Sequence, residues 1–147
     1  MTSTASPATA ASSRRVPLAA AIAAVLTGAA SGAIALVSVP IGVPQIPQLT
    51  PIAVVLFSVV ASVVGALGWQ LVRRRAADPR RTVLILALAV LAVSFVPDAL
   101  LGLSLAASTG PAPVVPLALM HLTTMGIAVV VYSWLLPVGT RPAVSDR

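Results

Sequence analysis

Four long apolar stretches, separated by short polar or proline-rich segments, dominate the pattern of hydrophobic and polar positions along this chain. They cover about residues 16–39, 52–72, 82–107 and 114–136. Each reaches the roughly 18–25 residues that a helix needs to cross about 30 Å of hydrocarbon. Backbone polar groups in lipid must be satisfied within the chain, so the pattern predicts an all-α bundle of four transmembrane helices. We assign residues 14–137 to this membrane domain.

The segments outside the four stretches predict tails and one long loop. Residues 1–13 consist of Ser, Thr, Ala and Pro after the first Met, without periodicity, which is typical of a disordered N-terminal tail. Residues 138–147 form a short, polar C-terminal tail. Residues 40–51 contain four prolines and no charge, and they predict an extended loop between the first two helices.

Two proline-containing pairs predict where helices begin. Thr50 and Pro51 fit the N-cap and first position of the second helix. Asp78 and Pro79 fit the same positions of the third helix, after a short basic turn.

The amino-acid composition indicates what surrounds this domain. Only 8% of the 147 residues are charged, 59% are hydrophobic, and the mean hydropathy is +1.06. A soluble domain carries roughly 25% charged residues. The principal partner is therefore the lipid bilayer.

The charged residues predict the orientation. All nine basic residues are arginines, and they lie in the two tails and in the turn between the second and third helices. The positive-inside rule then predicts a multi-pass protein of the inner (cytoplasmic) membrane with both termini cytoplasmic. Trp69, Tyr132 and Trp134 fall at the arginine-side ends of helices, where we expect them at the lipid–water interface. Aromatic residues make up only 3% of the chain, and we expect no nucleic-acid partner.

Small residues recur along one side of the first helix. Ala20, Ala24, Gly28 and Gly32 are spaced by four, and Gly65 lies on a similar small-residue face of the second helix. Such faces let two backbones approach closely. They predict packing between the first two helices of one chain, with dimerisation as the alternative.

One acid and one histidine lie within the apolar stretches. Counting from the arginine-side ends at about 1.5 Å per residue places Asp98 at roughly 24 Å and His121 at roughly 22 Å. The two residues could form a structural hydrogen bond or a site that handles protons or a ligand. In a third interpretation, helix three ends at Val96, before Pro97, and Asp98 lies in water.

No catalytic constellation is recognisable. One His and one Asp cannot complete a zinc site, which takes three or four protein ligands, and the chain has no cysteine. The absence of lysine excludes a P-loop. We therefore expect no catalytic residues, no metal, no cofactor and no enzymatic activity.

Two segments carry a resemblance to a known family. Residues 94–98 (Ser-Phe-Val-Pro-Asp) and 117–122 (Leu-Ala-Leu-Met-His-Leu) resemble domain of unknown function family 6069, found mainly in high-GC actinobacteria. The resemblance covers about residues 15–136. It implies a four-span inner-membrane protein and no particular activity or ligand.

Short loops and few intramembrane polar groups favour a structural or accessory membrane subunit. Its expected partners are further copies of the chain or another membrane protein. The alternative is a small transporter or channel subunit that uses Asp98 and His121.

Overall fold

The computed structural model describes residues 7–105 and 110–138, with side chains from Arg15 onward. It contains four long helices, with a short 3-10 turn at Pro47–Leu49 before the second. The helices are α1 (Pro7–Ser38), α2 (Pro51–Arg75), α3 (Pro79–Leu105) and α4 (Val114–Leu135). Each contains a segment long and apolar enough to cross a membrane. The predicted all-α, four-helix membrane bundle is confirmed.

The first helix begins earlier than the hydropathy pattern predicts. It starts at Pro7, so residues 7–13, which we expected in a disordered tail, are helical. Proline is favoured in the first turn of a helix, and the alanines that follow have the highest helix propensity. The predicted tail at residues 1–6, the end of helix three at 106–107 and the C-terminal tail from 139 lie outside the described residues.

The predicted starts of α2 and α3 are correct, although only one has the expected side-chain cap. Asp78 Oδ1 accepts a hydrogen bond from the Arg81 backbone N–H at 3.2 Å, as an N-cap residue should. Thr50 also occupies the N-cap position, but its hydroxyl donates to the Pro47 carbonyl oxygen at 2.9 Å instead. That bond stabilises the preceding turn.

Three helices form the core of the bundle, and α3 lies at its edge. α1 packs extensively against both α2 and α4, whereas α3 packs mainly against α4. The share of the membrane-spanning segment that is buried inside the bundle is 33% for α1, 28% for α2 and 22% for α4, compared with 6% for α3. The third span therefore contributes least to the core.

The buried side of α1 lies one position away from the predicted small-residue stripe. The residues at its centre, again spaced by four, are Ala19, Ala23, Thr27, Ser31 and Ala35. Gly28 is buried, but an added Cβ would lie an ordinary 4.0 Å from the Val55 side chain. Gly32 faces open space. α1 and α2 pack together as predicted, with Gly28 next to Val55 of α2 and Gly32 outside this contact.

Gly65 makes room for an aromatic ring from α4. A Cβ at this position would lie 3.2 Å from Cε2 of Tyr132. Tyr132 and Trp69 are only 2% and 7% exposed, and their rings meet edge to face at 5.7 Å. Both rings are therefore packed inside the bundle, whereas the Trp134 ring is 80% exposed. The Trp69 indole N–H donates to the Leu136 carbonyl oxygen at 2.9 Å, which allows the ring to be buried.

Hydroxyl groups connect the three core helices. Thr27 Oγ1 lies 3.1 Å from Ser62 Oγ, joining α1 to α2. Ser31 Oγ lies 3.3 Å from Thr124 Oγ1, joining α1 to α4. The Tyr132 hydroxyl donates to the Ser62 carbonyl oxygen, joining α4 to α2. Interhelical hydrogen bonds of this kind contribute about 0.6 kcal/mol each in membranes, so they mainly select one helix arrangement.

Candidate functional site

The acid that the sequence singles out lies inside a transmembrane helix. α3 continues through Pro97 to Leu105, so the interpretation in which helix three ends at Val96 is wrong. Pro97 has no N–H to donate to the Val93 carbonyl oxygen, which removes one helical hydrogen bond directly before the acid. Asp98 is 6% exposed. Its carboxylate is therefore held within the bundle.

The partner of Asp98 is the histidine of α4, at the contact that the estimated depths suggested. His121 Nδ1 lies 3.0 Å from Asp98 Oδ2. The same nitrogen lies 3.0 Å from the Leu117 carbonyl oxygen, one turn earlier in α4. The Phe95 ring, on the same side of α3 as Asp98, packs at 6.0 Å from the imidazole.

The neighbours of Nδ1 assign the position of a proton. A carbonyl oxygen can only accept, so Nδ1 donates to Leu117 and carries the hydrogen. Asp98 Oδ2 is within ion-pair distance, yet it has no hydrogen bond of proper alignment and is fully buried. The site therefore contains a carboxylate oxygen with unused accepting capacity.

His121 connects this buried oxygen to the outside of the bundle. Its side chain is 34% exposed, whereas that of Asp98 is 8% exposed. Within the described residues, His121 is the one basic group within ion-pair distance of Asp98. Because an isolated charge at membrane depth costs several kcal/mol, this contact stabilises α3 against α4.

Two side chains do not make a metal site. Residues 7–105 and 110–138 contain no cluster of three or more His, Cys, Asp or Glu side chains. Zinc requires three or four protein ligands. The arrangement of Asp98 and His121 thus supports pairing of the two side chains.

Sequence reasoning missed two members of the site. The Leu117 carbonyl oxygen has no sequence signal, because every residue has a carbonyl. Phe95 could have been predicted to lie beside Asp98, because it precedes Asp98 by three residues and residues three apart share a helix face.

The fold and the site define a class of protein: an all-α, four-span membrane bundle with one intramembrane acid–imidazole pair. The chain belongs to a family of unknown function (DUF6069), whose model matches residues 7–136. The resemblance noted from residues 94–98 and 117–122 is thereby confirmed. Neither the curated proteins nor the solved structures contain a match to this chain.

Proposed function

We propose that the protein is a non-enzymatic accessory subunit that assembles with another membrane protein through the outer side of α3. The observation that carries this proposal is the small buried share of α3, 6% of its spanning segment compared with 22–33% in the other helices. The core formed by α1, α2 and α4 is already packed and hydrogen-bonded. α3 is the span with most surface left for a second protein.

The outer side of α3 points away from Asp98. Its large residues, all 54–76% exposed, are Ile85, Val93, Val96, Leu100 and Leu103. Lipid tails are as apolar as these side chains, so helices associate in membranes through packing and hydrogen bonds. These aliphatic side chains offer van der Waals contacts to a helix of a second protein. The polar groups of the core, in contrast, already bond to one another, which supports a structural role.

Site-specific photo-crosslinking tests the proposed interface. A photoreactive residue at Val93 or Leu100 is expected to form a crosslinked product of one discrete mass in native membranes. The matched control is Val60 on α2, which is 51% exposed and also apolar. Mass spectrometry of the product distinguishes another protein from a second copy of this chain. Lipid adducts alone, or equal protein crosslinking from Val60, would contradict the proposal.

The proposed location is the inner (cytoplasmic) membrane, with both termini in the cytoplasm. The distribution of the arginines supports this orientation through the positive-inside rule. Reporter fusions after Arg75 and after Arg141 are expected to report cytoplasm, and one near Gln45 the opposite side. If the fusion after Arg75 reports the outer side, the proposed orientation is contradicted.

A small transporter or channel subunit is the second candidate function. The observation that favours it is the Asp98–His121 contact, in which a buried carboxylate oxygen meets an imidazole that is one-third exposed. Such pairs can pass protons between the bundle interior and its surroundings. Replacing both residues with leucine separates the two candidates, because only a proton-conducting protein then loses proton flux while it stays folded.

A further inference from the structure

An open groove lies between α3 and α4, on the arginine side of the Asp98–His121 pair. Its volume is about 490 Å³. Apolar residues of both helices line it, including Val83 and Leu91 of α3 and Met125 of α4. Gly126 also lines it, and a Cβ there would meet nothing within 4 Å. The absent side chain therefore leaves part of the groove open.

A single charged residue, Arg80, lines the end of the groove nearest the helix ends. Its Nε–H donates to the Val138 carbonyl oxygen at 3.4 Å, across the mouth of the groove. The described part of the chain places no carboxylate within ion-pair distance of Arg80. The guanidinium charge is thus available to an anion at the mouth.

The length of the groove matches one leaflet of a bilayer. From Arg80 to Leu91 the α3 axis rises about 16 Å, at about 1.5 Å per residue. A hydrocarbon core of about 30 Å has leaflets of about 15 Å. The groove therefore extends from the headgroup level, where Arg80 lies, to about the bilayer midplane. An acyl chain has this length and chemistry, and a phosphate-bearing headgroup complements the arginine.

We propose that the groove between α3 and α4 binds an anionic phospholipid, with one acyl chain along Val83, Leu91 and Gly126 and the headgroup phosphate at Arg80. A neutral helix from a second copy would leave the Arg80 charge uncompensated at the mouth. The site lies on a different side of α3 from Val93 and Leu100. It is therefore independent of the proposed protein partner.

Native mass spectrometry of the purified full-length protein provides the test. The protein is titrated with phosphatidylglycerol and, separately, with phosphatidylcholine of identical acyl chains. We expect the anionic lipid to bind about fivefold more tightly. One arginine near an anionic headgroup contributes about 1 kcal/mol, which corresponds to this factor. Arg80→Gln is expected to remove this preference, whereas Arg80→Lys should retain most of it. Arg81→Gln, which alters an exposed arginine outside the groove, should leave it unchanged.

Occupancy of the groove itself is tested by Gly126→Leu, whose Cβ would meet nothing within 4 Å and whose longer side chain would occupy groove space. This variant is expected to weaken binding of both lipids, while Gly68→Leu, on an open side of α2, should not. Equal binding of the two lipids by the wild type, or equal effects of Arg80→Gln and Arg81→Gln, would overturn the proposal. A change of oligomeric mass in Gly126→Leu, with lipid binding intact, would overturn it in favour of a second copy.

Discussion

Substituting leucine for His121 while Asp98 remains is expected to lower the free energy of unfolding by about 3 kcal/mol. Removing His121 leaves the buried Asp98 carboxyl group without its partner, and removal of one member of a buried ion pair costs about 3–5 kcal/mol in proteins. We take the lower value because the His121 side chain is 34% exposed. Reversible denaturation in mixed detergent micelles, followed by circular dichroism, measures the loss.

The matched control removes both partners. Asp98→Leu together with His121→Leu is expected to recover most of the stability, because a hydrophobic pair at such a site is often neutral or better. The energies of residues in contact are not additive, and the double-mutant cycle measures this coupling. A double variant that loses the full sum of the two single losses would show that Asp98 and His121 act independently.

The same double variant distinguishes structure from transport when proton flux is measured in reconstituted vesicles. For an accessory subunit, the wild type and the folded double variant should give the same background flux. If the protein is instead a transporter that depends on the pair, the wild type should conduct protons and the double variant should not. Cysteines at positions 98 and 121, in a chain without other cysteines, should crosslink with a short reagent because the native side chains are 3.0 Å apart.

Replacing Gly65 with leucine is expected to destabilise the bundle by about 3 kcal/mol. A Cβ alone would approach Tyr132 Cε2 to 3.2 Å, and a longer side chain must displace the ring. Overpacking costs about 1–3 kcal/mol. Displacement also breaks the Tyr132 hydrogen bond to the Ser62 carbonyl oxygen, which costs about 0.6 kcal/mol more. The near-ultraviolet circular dichroism of the Trp69–Tyr132 cluster should weaken in parallel.

Gly68→Leu is the control for this prediction. It lies three residues further along α2, and a Cβ there would meet nothing within 4 Å. We expect its stability to stay within about 0.5 kcal/mol of the wild type, as for most surface substitutions. An equal loss in both variants would show that α2 resists leucine in general and that the Gly65–Tyr132 contact is not responsible.

The helices could be predicted because their signals are local. Length and hydropathy define a span, and the proline at the start of α2 and of α3 marks its first residue. Asp78 caps α3 through a backbone N–H three residues away, which is also a local contact. Only the start of α1 was predicted too late, since an alanine-rich segment carries helix propensity without hydropathy contrast.

The packing of the helices could not be predicted in the same way. α1 is apolar or small on nearly every side, so its sequence does not distinguish the Thr27–Ser31 face from the Gly28–Gly32 face. Hydroxyls spaced by four were the better signal, because a membrane helix directs them towards other helices. The burial of Trp69 depends on the distant Leu136 carbonyl oxygen, which no local pattern reveals.

The site was partly predictable. Depth arithmetic placed Asp98 and His121 at one level, and the structure brings them into contact. The course of α3 through Pro97 was left open, since proline can either end or merely kink a helix. Neighbouring helices and bulk water supply different partners for the freed carbonyl, and the sequence alone does not select between them.

The order of the helices along the chain has a consequence for biogenesis. α3 packs mainly on α4, which leaves the ribosome after it. His121 follows Asp98 by 23 residues (121 − 98 = 23). At translation rates of about 5–20 residues per second, the nascent acid waits for its imidazole for about one to five seconds. During that interval α3 must remain in the insertion machinery, or enter lipid with its carboxyl group neutral.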